Sequence, residues 1–287
     1  MLFSIIIPVY NSEHTIRRCI NSILSQNFGG FEIIVIDDGS TDKTLEILEA
    51  YSAKDSRIKV FHFENAGVSV SRQRGISLAS GDYLLFADSD DSVNPELLFN
   101  LNSAIENFGN PDIIRYQCKL IGDAAHKNHE RYNFETSLDV PMTGMEALKT
   151  WSTSGKKYAV YWLFAFKKDV FTNVSLLPGL KCYEDVALIP VLIAKSKQVL
   201  VINFCGYNYY CSNANSLSNK SSMAAEKSRA IDFWKAYIYA ISNFIKIENI
   251  SESDIMFFVA DYNKRLKSKF NSLDENLKKE LFELYNF

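Results

Sequence analysis

The stretch "GDYLLFADSDD", residues 81–91, decides how this chain is read. Five apolar or aromatic side chains, Tyr83 to Ala87, run without a break, as in a strand covered on both faces. Three carboxylates, Asp88, Asp90 and Asp91, follow at once. Acids so close together at a strand end repel one another unless a cation or several donors compensate them. The alternative is a turn in which Asp91 or Ser92 caps the helix predicted to begin near Pro95.

Upstream, the same order of apolar run, polar turn and helix recurs. "LFSIIIPVY" (2–10), "FEIIVIDD" (31–38) and "RIKVFHF" (57–63) read as strands. Between them, 11–26 carries Ile16, Cys19, Ile20, Ile23 and Leu24 at helical spacing behind a cap at Asn11 or Ser12, and 40–54 reads as a second helix. A third helix is expected over 67–81, closed by Gly81, and a fourth over 94–109 with Pro95 in its first turn, followed by a fifth strand at 112–120. Repeated β-α-β units predict a Rossmann-like, mostly parallel α/β sheet with helices on both faces. Ligands in such sheets sit beyond the carboxyl ends of the strands. That edge holds Pro8 to Asn11, Asp37 to Ser40 and Asp88 to Asp91. Neither GxGxxG after the first strand nor GxxxxGK[ST] is found, which argues against dehydrogenase and P-loop chemistry, and a nucleotidyltransferase would need a basic Gly-rich loop that "PVYNSEHT" lacks.

The second half changes character. "GMEALKTW" (144–151) and "CYEDVALIPVLIAKSK" (182–197) read as helices, the latter with Glu184 and Asp185 in its favourable first turn. "YAVYWLFAFKKDVF" (158–171) fits a strand or a helix, and "QVLVINF" and "CGYNYYC" fit two short strands. From Met223 the pattern is amphipathic, and three helices are expected.

Composition narrows the function. The chain has 287 residues, 47% of them hydrophobic, enough for a large core, and its net charge of −3 gives no basic face for nucleic acid. Five cysteines at irregular spacing read as free thiols. The HxxH of His126 and His129 reads as a solvated loop rather than a metal site. No apolar run approaches the ~20 residues of a membrane span, and the N-terminus lacks the features of a signal peptide, so a cytoplasmic location is expected. Contact with the inner face of the cell membrane through "NKRLKSKF" and the nearby Phe257, Phe258, Leu266 and Phe270 is compatible with the sequence, as is a homodimer.

Four stretches together, "IIIPVYNSE", "EIIVIDDGSTD", "NAGVSVSRQRGISLASGDYLLFADSDD" and "CYEDVALIPVLIA", resemble the inverting family 2 glycosyltransferases of bacterial surface-polysaccharide assembly. The resemblance covers roughly the first 200 residues and implies the GT-A fold. It divides the chain into a catalytic domain at 1–215, with a nucleotide-sugar half about 1–120 and an acceptor half about 121–215, and a C-terminal helical region at 216–287. It implies transfer from a nucleotide diphosphate sugar, commonly a UDP-sugar, to a glycan or lipid-linked acceptor, assisted by Mn²⁺ or Mg²⁺. By resemblance, Pro8, Tyr10 and Glu13 surround the nucleotide and Asp38 accepts from the base, while Asp37 supports the loop. Asp88 and Ser89 lie at the ribose and donor, Asp90 holds the metal with Asp88 beside it, and Asp91 lies behind them. Arg72 or Arg74 meets a phosphate or these carboxylates. Asp185 is the expected general base, with Glu184 as the alternate. Trp151 and Trp162 are read as core residues, with sugar stacking as the other use of each. A rival reading keeps the donor site but not the chemistry: a catalytically silent nucleotide-sugar-binding partner of another transferase.

Overall fold

The computed structural model describes residues 2–122, 132–133, 140–155, 158–211, 223–276 and 278–279. The chain opens with β1 (Phe3–Val9), α1 (Ile16–Leu24), β2 (Phe31–Asp37), α2 (Thr44–Ser52), β3 (Ile58–His62), α3 (Val68–Leu78) and β4 (Tyr83–Phe86). It continues through β5 (Ser92–Val93), α4 (Leu97–Phe108), β6 (Ile113–Ile121), α5 (Gly144–Thr153), β7 (Phe164–Lys167), α6 (Glu184–Lys195) and β8 (Val199–Tyr210). Two long helices follow, α7 (Met223–Phe244) and α8 (Glu252–Asn271), and a further helical turn begins at Glu275.

One sheet runs β3-β2-β1-β4-β7-β6-β8-β5. Its first four strands are parallel, as the alternating pattern predicts, and the side chains of β1, β2 and β4 are almost all buried between helical layers. Strand order reverses beside β1, so a crevice opens where the carboxyl ends of β1 and β4 diverge. Beyond β4 the sheet is mixed rather than mostly parallel. β7 runs antiparallel to both β4 and β6, β8 is parallel to β6, and β5 is antiparallel to β8. The aromatic run at 158–171 resolves into a 3-10 turn at Tyr161–Leu163, then β7.

Several local expectations are corrected. Residues 199–210 form one strand, not two; register shifts along β6 absorb the mismatch, and Gly206 lets β8 pass α4 because a Cβ there would stand 2.5 Å from Leu97 Cδ1. α1 is not capped by Asn11 or Ser12. Asn11 is left-handed (φ 48°), and its Oδ1 instead accepts the Thr41 N–H at 2.8 Å, tying the β1 and β2 loops together. α3 ends at Leu78, before Gly81, whose missing Cβ leaves room for the Phe3–Ser4 backbone. α4 starts at Leu97, past Pro95; Asn94 Oδ1 takes the Glu96 N–H at 3.0 Å, so neither Asp91 nor Ser92 is its cap.

The core is continuous from the sheet into the C-terminal helices. Tyr237, Ala240, Phe244, Phe258 and Tyr262 belong to the same buried cluster as β1 and β4. Phe258 stacks on Phe244 with ring centroids 3.8 Å apart, and Leu266 and Phe270 are half-buried. Among the described residues no helix is long and apolar enough to cross a membrane. All five cysteines are free thiols. His126 and His129 lie outside the described residues.

Candidate active site

The turn after β4 is held from below by β8. The buried Tyr207 hydroxyl donates to Asp91 Oδ2 at 2.8 Å and accepts the Asp88 N–H at 3.0 Å, while the Tyr210 N–H reaches Asp91 Oδ1 at 2.8 Å. Asp91 is therefore sequestered behind the turn, 1% exposed. Burial, reinforced by Asp88 and Asp90, pushes its carboxyl up to about 8. Asp88 and Asp90 face the opening instead. The Asp88 pKa is also raised by burial and by Asp90 and Glu184, against the opposing pull of Arg72. Arg18 grips the turn from the other side, donating to the Asp90 carbonyl with its guanidinium 3.7 Å from the Tyr210 ring centroid.

Arg72 links the two acidic groups of the site. From α3 it donates to Asp88 Oδ1 at 3.0 Å and to Glu184 Oε1 at the start of α6, with its guanidinium over the Tyr161 ring. Burial alone would lower its pKa, but Glu184 and Asp88 outweigh that and raise it. Glu184 is thus buried and ion-paired, whereas Asp185 lines the cleft and accepts the Val186 N–H at 2.7 Å. Tyr183, just before them, is left-handed (φ 68°), which turns the chain sharply into α6.

These groups line one cleft of about 840 Å³, with Asp88, Ser89 and Asp90 contributed by the turn after β4 and Glu184 and Asp185 by α6. It adjoins a second cavity of about 790 Å³, and Pro8, Tyr10, Asn11, Val68 and Lys181 line both. Asp38 lines the second cavity, where its two oxygens accept the Ala66 and Gly67 N–H groups at 2.9 and 2.8 Å; Arg74 stands 3.7 Å away. Asp37 is fully buried and held by Ser40 and by His62 Nδ1 at 2.6 Å, a support for the loop. Glu13 stands apart from both cavities: its Oε2 accepts the Lys43 N–H at 3.0 Å at the start of α2. Trp151 is a core residue, 1% exposed. Trp162 reaches the cleft wall, but Tyr207 and Tyr209 stack on it at 4.8 and 5.1 Å, so its ring works as packing.

Sequence reasoning missed Tyr207, which looks no different from Tyr209 and Tyr210 in "CGYNYYC", and missed Lys181, Arg229 and Lys269, which also line the cleft. Long-range contacts select these residues, and a single sequence carries no signal for them.

The fold is of the GT-A class. The model of glycosyl transferase family 2 matches residues 4–174, and the chain belongs to that family. It is 27% identical over 275 residues to the glycosyltransferase YibD of Escherichia coli (strain K12), covering 92% of this chain and 75% of YibD. It is 38% identical over 214 residues to the glycosyltransferase GlyG of Streptococcus pneumoniae serotype 4, covering 72% of this chain and 70% of GlyG. Against two further bacterial relatives it spans only 62% and 63% of their length. Among solved structures, Staphylococcus aureus TarS in complex with UDP is similar to it with a TM-score of 0.74 at 21% identity, over 98% of this chain and 78% of the other.

Proposed function

We propose that this enzyme transfers a sugar, with inversion, from a UDP-sugar to a hydroxyl of a glycan or lipid-linked glycan during assembly of a bacterial surface polysaccharide. One observation carries the reading: the cleft has Asp88 and Asp90 on the β4 side and Asp185 on the α6 side, and it opens into the cavity lined by Asp38. A nucleoside in that cavity, bounded by Pro8, Tyr10 and Asp38, would direct its diphosphate past Lys181 toward the Asp88–Asp90 turn. The UDP complex of the TarS fold supports uridine as the base.

The chemistry divides between the two walls. Asp185 takes the proton from the acceptor hydroxyl as its oxygen bonds to the anomeric carbon, and the bond from that carbon to the diphosphate breaks on the opposite face. Glu184, whose carboxylate pairs with Arg72, is the alternate for this role; the same guanidinium also reaches Asp88.

The residues of the turn fit a divalent ion. Burial and mutual repulsion hold the pKa values of Asp88 and Asp91 up, a conflict that a bound cation would relieve. Among the described residues no three His, Cys, Asp or Glu side chains are grouped to enclose an ion, so Asp90, with Asp88 beside it, would hold Mn²⁺ or Mg²⁺ jointly with substrate phosphates. When bound, the ion supplies positive charge to the departing diphosphate.

The test is incubation of the full chain with a panel of UDP-sugars and Mn²⁺, following release of UDP. Slow, metal-dependent release without acceptor is expected, and Asp90→Ala abolishes it without lowering the melting temperature. Tight UDP-sugar binding with no release under any condition would favour the silent partner subunit.

A further inference from the structure

Residues 175–183, between β7 and α6, belong to no helix or strand, yet they wall both cavities. Gly179, Leu180 and Lys181 line the cavity of Asp38, and Lys181, Cys182 and Tyr183 line the cleft of Asp185. A segment without a backbone ladder is placed by the partners that its polar groups find elsewhere.

Two helices supply those partners. From α3, Gln73 Oε1 accepts the Leu176 N–H at 2.9 Å, and the Ser69 hydroxyl donates to the Leu177 carbonyl at 2.6 Å. From α7, Asp232 Oδ2 accepts the Lys181 N–H at 3.0 Å, and the Tyr239 hydroxyl donates to the Ser175 carbonyl. The two α7 anchors therefore bracket the lining residues Gly179 and Leu180. Asp232, Ala236 and Tyr239 share one face of α7. Between the polar anchors, Ala236 packs in a buried cluster with Leu180 and Ala187, and Leu177, Tyr183 and Tyr239 close around it. Phe233 meets the Tyr183 ring edge-on at 5.1 Å. Asp232 is itself buried, and the Cys182 thiol lies 3.7 Å from the same carboxylate oxygen. Burial first, and Asp232 next, push that thiol up to about 12, so it keeps the proton it donates.

The start of α3 also supplies the Ala66 and Gly67 N–H groups that Asp38 accepts. One side of that cavity thus comes from α3, and α7 fixes the segment that completes it. We propose that Asp232 and Tyr239 are positioning residues of the donor site: they hold residues 175–182 in place, so that the C-terminal region sets the shape of the nucleoside cavity although, among the described residues, none of α7 lines it. This rests on reading that cavity as the nucleoside site, as in the preceding section.

Calorimetric titration of the full chain with UDP and Mn²⁺ tests the proposal. D232A is expected to weaken binding roughly tenfold, and Y239F about threefold, because each leaves one anchor unmade. D232N, whose amide oxygen still accepts the Lys181 N–H, stays within about twofold of the parent. Y237F is the control. It removes the bond from Tyr237 on α7 to Asn263 on α8, 2.6 Å long, and so loosens the helix pair without touching the segment. It lowers the melting temperature and leaves UDP affinity within about twofold. If D232A does not fold, Y239F is read against Y237F. The proposal is overturned if D232A and Y239F bind UDP as the parent does, if D232N is as weak as D232A, or if Y237F weakens binding as much as they do. A parent chain that binds no UDP would sink the nucleoside reading alone. The anchoring is then judged by hydrogen–deuterium exchange, which D232A and Y239F, but not Y237F, should speed roughly tenfold across residues 175–182. Unchanged exchange there would overturn it.

Discussion

The Tyr207 hydroxyl donates to Asp91 Oδ2 at 2.8 Å, in a spot where both residues are buried. The same oxygen receives the Asp88 N–H, so one side chain from β8 shapes the turn that aims Asp88 and Asp90 into the cleft. Tyr207→Phe leaves a buried carboxyl and a backbone N–H short of a partner. We expect a loss of ~1–3 kcal/mol in unfolding free energy by urea denaturation. Calorimetry should also find weaker UDP·Mn²⁺ binding. Unchanged nucleotide affinity would mean the turn keeps its shape without this hydroxyl.

Arg72 and Glu184 form a buried pair, with Glu184 8% exposed. Removing only the arginine, in Arg72→Met, leaves the carboxylate uncompensated and should cost ~3–5 kcal/mol. Adding Glu184→Leu should recover part of that loss, with a coupling of ~0.5–3 kcal/mol in a double-mutant cycle. Additive losses would show that the two charges do not stabilise each other.

Asp185→Asn should lower kcat by a factor of ~10²–10⁴ while UDP binding and melting temperature stay near those of the parent. Glu184→Gln should act chiefly on stability, since it breaks the pair with Arg72. If the two phenotypes were exchanged, Glu184 would be the base. Steady-state kinetics beside thermal melts checks this.

Glu32 gives a pH signature far from the site. Burial opposes its ionisation, but hydrogen bonds from Lys59, Ser4 and Ser80 prevail and lower its pKa from 4.5 to about 2. Between those values the unfolded chain binds more protons than the folded one, so this contribution is present above pH 4.5 and is lost as the pH falls toward 2. In Glu32→Gln the slope of unfolding free energy against pH across that window should flatten. An unaltered slope would assign the acid sensitivity to other carboxylates.

The first half of the fold was legible because each parallel strand is buried on both faces and its helix on one, two constraints that print different periods into the sequence. β1 to β4 and their helices follow from that, as do the acids at the strand ends. The 158–211 region was not legible in the same way. Its strands are aromatic and irregular, and nothing local distinguishes an antiparallel β7 inserted between β4 and β6, or one long β8, from the alternatives.

For the site, sequence alone determined which acids gather at the sheet edge, since the carboxyl ends of parallel strands must share that edge. It did not determine how they are used. Asp91 turns inward to Tyr207, Glu184 pairs with Arg72, 112 residues away in the chain, and Asp185 lines the cleft. Tertiary structure alone made those assignments and brought Arg229 and Lys269 to the same cavity, because the energy of a buried charge depends on partners that the chain order does not reveal.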